Sequence, residues 1–280
     1  MDYAESLGLP LARLPLAFVD VETTGLRAGG GDRICEVAVV VCQGKQEIHR
    51  YCSLVNPLRP ISPAAAAVNG LSDEMVRGAP AFAEVAEQVG AALSLGLPVA
   101  HNAPFDLAFL AREFALAGAP APAAGALDTL GLARRILPFR RHGLTDLARQ
   151  FAISVPGQAH RALADALATR ELLAHLVREA GMSTNASLAE IISLQGGLIP
   201  WPDGHTASAP ALPRDFAEAF QPGRLVRIDY LDMAGARTCR LVEPIETYVN
   251  GGALYLVAFC HLRQSQRTFR IDRIIAWEPA

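Results

Sequence analysis

Apolar, largely β-branched runs at about 16–22, 33–42 and 47–55 are separated by short polar stretches, and predict three consecutive strands. "RAGGGD" (27–32) is the turn between the first two. The spacing then changes to helical over about 72–77 and 82–95, and a short strand in "LPVAHN" leads into a helix over about 104–118. After the loop "GAPAPAAG" come "ALDTL" and helical patterns near 128–137, 143–151 and 160–180. Three strands followed by alternating strands and helices imply an α/β architecture, a mixed sheet with helices on its faces. From about 181 to 222 the chain is rich in Gly, Pro, Ser and Ala, with one helical pattern at 187–194. Beyond it "RLVRIDYLD", "ARTCRLVEP", "ALYLVAFCHLR" and "RTFRIDRIIAWE" are strand-like, with "NGG" as a turn, which predicts a small all-β module. The organisation expected is a first domain over 1–182, a linker with a short helix over 183–220, and a β domain over 221–280.

The first strand contains two acids. In "LAFVDVETTGL" (16–26), Asp20 and Glu22 share one face while Val19 and Val21 take the other. Like charges side by side repel and resist dehydration, and a cation held between them removes both objections. Two further segments place acids at comparable points. "VAHNAPFDLAFL" (99–110) sets Asp106 just past a strand end, and "QAHRALADALATRELL" (158–173) carries His160 and then Asp165 along an Ala- and Leu-rich helix. Taken singly, Asp106 reads as a helix cap, Glu22 as an edge charge and Asp165 as a surface residue. Taken together in this order they read as one site. His101 and His142 read as structural.

The three ordered motifs "VDVETTG", "HNAPFD" and "HRALADA" resemble those of the DEDD superfamily of 3′–5′ exonucleases, in the His-type, DnaQ-like branch that includes polymerase proofreading subunits, RNase T and oligoribonuclease. The resemblance covers about residues 14–180 and implies an RNase H-like fold. It also implies that Asp20, Glu22, Asp106 and Asp165 hold two divalent ions, Mg²⁺ or Mn²⁺, about 3.5–4 Å apart. His160 would then be the general base for the attacking water. By the same resemblance the backbone at Thr23 and Thr24 and the side chain of Leu26 flank the terminal nucleotide, with Asn102 and Phe105 lining the cleft. Leu26 and Phe105 read equally well as core.

The segment 221–280 resembles the WYL domain, a small SH3-like β-fold, through "EPIETYVNGGALYLVAFCHLR" and "RTFRIDRI"; the name-giving triplet here is Leu254-Tyr255-Leu256. Period-2 alternation groups Tyr255, Val257, Phe259, His261 and Arg263, and likewise Arg267, Phe269, Ile271 and Arg273. Tyr255, Arg263, Arg267 and Arg273 are the candidates for binding nucleic acid or a nucleotide-like ligand, since Arg forks take phosphate and rings take bases. The alternative is that these arginines pair with Glu243, Glu246 or Asp272 on a solvated sheet.

Composition narrows the field less than the motifs do. With 51% hydrophobic and 19% charged residues over 280 positions, the chain has the makings of folded domains. A net charge of −3 excludes a wholly basic binder but not a local patch. Lys45 is the only lysine, so positive charge is almost all Arg. Five cysteines (Cys35, Cys42, Cys52, Cys239, Cys260) without a CxxC pair argue against a disulfide framework or structural zinc. With no signal-like segment and no membrane-length apolar run, a cytoplasmic location without membrane partners is expected. The reading is a metal-dependent 3′–5′ exonuclease on mainly single-stranded DNA, releasing nucleoside 5′-monophosphates, with a homodimer as a further expectation. Its alternatives are an exoribonuclease and a non-catalytic, ligand-responsive nucleic-acid-binding regulator.

Overall fold

The computed structural model describes residues 6–122, 125–157, 159–183, 185–202, 224–231, 236–250 and 253–280, in two compact units. The first unit is built on a mixed sheet of order β3-β2-β1-β4-β5, comprising β1 (Pro15–Thr23), β2 (Ile34–Gln43), β3 (Gln46–Leu54), β4 (Leu97–Ala100) and β5 (Leu127–Asp128). β1, β2 and β3 are antiparallel neighbours, while β4 and β5 run parallel to β1. β2 is buried over nine of its ten residues, which is why "ICEVAVVVC" is apolar almost throughout. β3 lies at the edge and is mostly exposed, in keeping with its Glu47, His49 and Arg50.

Helices cover both faces. α1 (Pro63–Asn69), α2 (Asp73–Val76), α3 (Phe82–Ser94), α4 (Ala103–Leu116), α5 (Thr129–Ile136), α6 (Leu144–Gln150), α7 (Ala162–Glu179) and α8 (Leu188–Gln195) follow in chain order. Leu16 and Phe18 of β1 face a core closed by Leu132, Leu147, Leu172 and Leu176 of α5, α6 and α7. Val19 and Val21 face the opposite core, closed by Phe82 and Val89 of α3 and Leu107 and Phe114 of α4. Asp20 and Glu22 have the parity of Leu16 and Phe18, so they share a face with α7. Among the described residues, no helix is long and apolar enough to cross a membrane.

Two departures from the sequence expectations concern boundaries. α1 falls between the expected third strand and the helical pattern at 72–77, where no element was expected; Ser62 caps it by accepting from Ala65 N, Pro63 sits in its first turn and Gly70 (φ 70°) ends it. Its run of alanines after Pro63 has no periodicity to detect. The segment read as linker from 183 is, over 185–202, part of the first unit. Leu188 and Ile191 of α8 are buried in one core, Ile199 and Trp201 pack on the other, and Ile199 bridges Ala126. Residues 203–220 of that expected linker lie outside the described residues.

The second unit is an all-antiparallel sheet of order β10-β6-β7-β8-β9, formed by β6 (Val226–Leu231), β7 (Arg237–Asn250), β8 (Ala253–Cys260), β9 (Ser265–Arg270) and β10 (Ile274–Pro279). Its core is Val226, Ile228, Val242, Leu256, Ala258, Cys260, Phe269 and Ile274. Gly251 and Gly252 of the expected turn lie outside the described residues. "RTFRIDRIIAWE" is not one strand: a 3-10 turn over Ile271–Arg273 divides it.

Candidate active site

The β1–β2 ladder has a register irregularity between Glu22 and Thr23, where Cys35 of β2 is left unpaired just beyond the second acid of β1. Asp165, in the first turn of α7, comes up against it. Carboxylate oxygens of Asp20, Glu22 and Asp165 all lie within 4.8 Å of one another, and each residue is half-buried. Asp106, in the first turn of α4, is 3% exposed, and its Oδ1 accepts from Val21 N at 3.1 Å. That bond pins its carboxylate to the backbone between the two β1 acids. The four predicted acids therefore converge at one end of β1, three as a tight cluster and the fourth bonded between them.

Burial and mutual repulsion push these groups upward. Asp20 stands well above the usual carboxylate range, first through burial and then through the charges of Asp106, Asp165 and Glu22. Glu22 is raised to about 8 by burial and by Asp165 and Glu36, with Arg161 and an Asn69 hydrogen bond opposing. Burial raises Asp106 well above its usual value against the Val21 hydrogen bond, and raises Asp165 against the pull of His160. An all-oxygen, anion-crowded set of this kind fits hard divalent cations such as Mg²⁺ or Mn²⁺.

His160 is exposed, with φ 60°, and its backbone N–H donates to Asp165 Oδ1 at 3.3 Å. The left-handed backbone places a β-carbon where L-residues pay a steric cost, and turns the chain sharply into α7. Its imidazole stands at the rim, outside the carboxylate cluster.

Next to the acids is a group that the motif reading missed. Glu36 lies directly across the ladder from Glu22. Arg161 grips it bidentately, Nη2 to Oε1 at 2.7 Å and Nε to Oε2 at 3.0 Å, and Ala162 N donates to Oε2 at 3.0 Å. The pair ties the start of α7, and with it His160 and Asp165, to the centre of the sheet. Glu36 gave the same signal as Asp20, an acid in an apolar strand. A similar pair, Arg33 with Glu113 (2.7 Å twice, plus Ile34 N at 3.2 Å), anchors α4 to β2. Asp128 accepts from Asn102 N and Ala103 N at the start of α4, and from Leu130 N and Gly131 N at the start of α5.

The softer candidates divide. Leu26 is 43% exposed beside the site, as a nucleotide contact requires. Thr24 is fully buried, its N–H donating to Arg33 O and its C=O accepting from Ser62 N, so it shapes the loop. Thr23 is also buried, its hydroxyl donating to Gly25 O at 2.6 Å. Asn102 adopts φ 72° at the start of α4, and Phe105 is half-buried against Phe109 at 4.9 Å between ring centroids. His101 is structural: Nδ1 meets Thr129 Oγ1 and Nε2 meets the His142 carbonyl, both at 2.9 Å, and burial lowers its pKa to about 4.

The C-terminal candidates do not gather on one face. Tyr255 is registered with Arg270, whereas Arg267 is registered with Ala258, a core residue of the other parity. Tyr255 and Arg267 thus lie on opposite faces. Arg263 sits in the turn after β8 and Arg273 in the 3-10 turn, while Phe269 is core. The alternation assumed over 267–273 fails because the run bends at Ile271.

Comparison with known proteins places this geometry. A family model described as "Exonuclease" matches residues 17–173, and one described as "WYL domain" matches 212–279. A DNA polymerase III subunit epsilon-like protein of Rhodobacter capsulatus is 36% identical over 197 residues, covering 68% of this chain and 28% of that one. A DNA polymerase III subunit epsilon of Treponema pallidum is 35% identical over 173 residues, covering 59% of this chain and 80% of that one. The chain thus spans just over a quarter of the first of these relatives. Among solved structures, Exonuclease X in complex with 5′ overhanging duplex DNA aligns with a TM-score of 0.50 and 30% identity, covering 63% of this chain and 98% of that one. With more than half of its length matched by the family model, the chain belongs to the exonuclease family.

Proposed function

We propose that the protein is a 3′–5′ exonuclease that removes nucleoside 5′-monophosphates from DNA 3′ ends, acting mainly on single strands with two Mg²⁺ or Mn²⁺ ions. The observation that carries this reading is the convergence of Asp20, Glu22 and Asp165 within 4.8 Å, with Asp106 fixed between the two strand acids. Bound divalent ions supply a water of lowered pKa and a counter-charge for the leaving oxygen. The four carboxylates would hold those ions at the end of β1. His160, exposed at the rim and bonded through its backbone N–H to Asp165, takes the proton of the attacking water. Leu26 and Phe105 line the approach for the terminal nucleotide. The DNA-named relatives and the DNA-bound Exonuclease X favour DNA over RNA. The C-terminal sheet serves as a nucleic-acid or ligand-binding module.

The test is digestion of 5′-labelled single-stranded DNA and RNA of one sequence, with Mg²⁺, Mn²⁺ or EDTA. Wild-type protein should give a metal-dependent ladder shortening from the 3′ end on DNA, and Asp20→Ala and His160→Ala should lose it. Binding without degradation under every metal would overturn the reading.

A further inference from the structure

The stretch from Thr129 to Thr145 holds four exposed arginines, Arg134, Arg135, Arg140 and Arg141, and no acid, in a chain whose net charge is −3. Arg135 donates to Leu194 O at 3.2 Å. Among the described residues, the side chains of Arg134, Arg140 and Arg141 make no hydrogen bond or ion pair. Cations left without carboxylate partners on an acidic protein are available to an outside anion.

Their location is fixed by the fold. Phe18 of β1 pairs with Val99 of the parallel β4, so Asp20 and His101, two residues further along each chain, emerge at the same end and on the same face. His101 then reaches across with Nε2 at 2.9 Å from the His142 carbonyl, and His142 Nε2 closes on Leu137 O at 3.3 Å. The turn carrying Arg140 and Arg141 is therefore bolted to the strand beside Asp20. One strand spacing of about 4.8 Å, an imidazole and a hydrogen bond put the backbone of this turn at His142 on the order of 10–15 Å from the carboxylates, with the arginine side chains reaching out from it. A stacked strand advances about 3.4 Å per phosphate, which makes that distance about three to four phosphates.

We infer that the turn Pro138–Gly143 grips the phosphate backbone of a single-stranded nucleic acid three to four nucleotides from the end held at the carboxylates; the assignment of that end rests on the nuclease reading above. Guanidinium forks take phosphate oxygens without reading sequence, so the contact adds affinity and sets strand direction for any sequence.

The experiment compares the wild-type chain with Arg140→Ala/Arg141→Ala and Arg140→Lys/Arg141→Lys. A labelled DNA dodecamer and a dinucleotide are titrated in EDTA across a salt series. Loss of two phosphate contacts should weaken the dodecamer roughly tenfold and make its log–log salt slope shallower by about 1.4. The Lys variant should retain the slope, and the dinucleotide should show no such change. Coinciding slopes and affinities in wild type and the Ala variant on the dodecamer would overturn the inference. So would an equal loss on the dinucleotide, which would place the arginines at the reacting end. Because no hydrolysis is needed, a protein that binds but never cleaves would sink the nuclease reading and leave this measurement decisive.

Discussion

Arg161→Ala isolates what the start of α7 depends on. It leaves the Glu36 carboxylate, 5% exposed, across the strand from Glu22 with Ala162 N as its remaining described partner. Removing one member of a buried ion pair costs about 3–5 kcal/mol, because the other charge stays in a medium that cannot solvate it. Here the arginine is 34% exposed, so water already shares the work, and about 2–3 kcal/mol is expected. In a unit of this size that lowers Tm by about 5–10 °C. The assay is urea unfolding followed by Trp201 fluorescence in a Trp277→Phe background, which silences the second unit's tryptophan. Glu36→Gln added to Arg161→Ala should recover at least half of the loss, since an amide tolerates burial better than an unpaired carboxylate. Glu36→Gln alone frees only a partly hydrated arginine and should cost about 1 kcal/mol or less. A loss below about 0.5 kcal/mol for Arg161→Ala, or a double variant no more stable than the single one, would refute the account.

Three more outcomes follow from the same geometry. The Glu22 pKa of about 8 exceeds its unfolded value of about 4.5, so the folded chain binds an extra proton between them; stability is greatest below about pH 4.5 on this account and is lost as pH rises through 8. In EDTA, Tm should fall by on the order of 5 °C between pH 5.5 and 8.5, and saturating Mg²⁺ should flatten the profile; a Tm that rises with pH in EDTA would contradict this. Gly25→Ala should destabilise by about 1–3 kcal/mol, read by thermal melting, because a β-carbon there would sit 2.5 Å from an Asp32 carboxylate oxygen that also holds the loop together. Since all five cysteines are free, Tm should be unchanged by a reducing agent, and a shift would reveal a disulfide absent here.

How much of this was legible depended on the range of the interaction. Strands β1 and β2 and helices α3, α4 and α7 carry their periodicity locally, and they appear within a residue or two of where the pattern put them. The four acids were legible because each interrupts an apolar run, a conflict that the sequence displays. Glu36 interrupts one too, but its partner Arg161 lies 125 residues away, and nothing local announces the pair. The same holds for Asp128, whose four backbone donors come from two helices. In the second unit alternation correctly marked strands, yet which residues share a face is set by pairing register. Tyr255 faces Arg270 across the ladder, not Arg267, and no single-strand pattern contains that information.

The way β5 is held has a consequence for synthesis. This strand is two residues long, and Asp128 within it anchors the start of α4, from which Asp106 projects. Its other side is secured from downstream: Gln195 Oε1 accepts from Asp128 N at 2.7 Å, and Ile199 bridges Ala126. A growing chain emerging at about 5–20 residues per second exposes all four acids once residue 165 is out, but the brace arrives only with residue 199. For a few seconds the nascent protein carries all four acids without the brace behind the helix that presents Asp106. Nuclease competence would thus be timed to the emergence of a segment that contributes no chemistry.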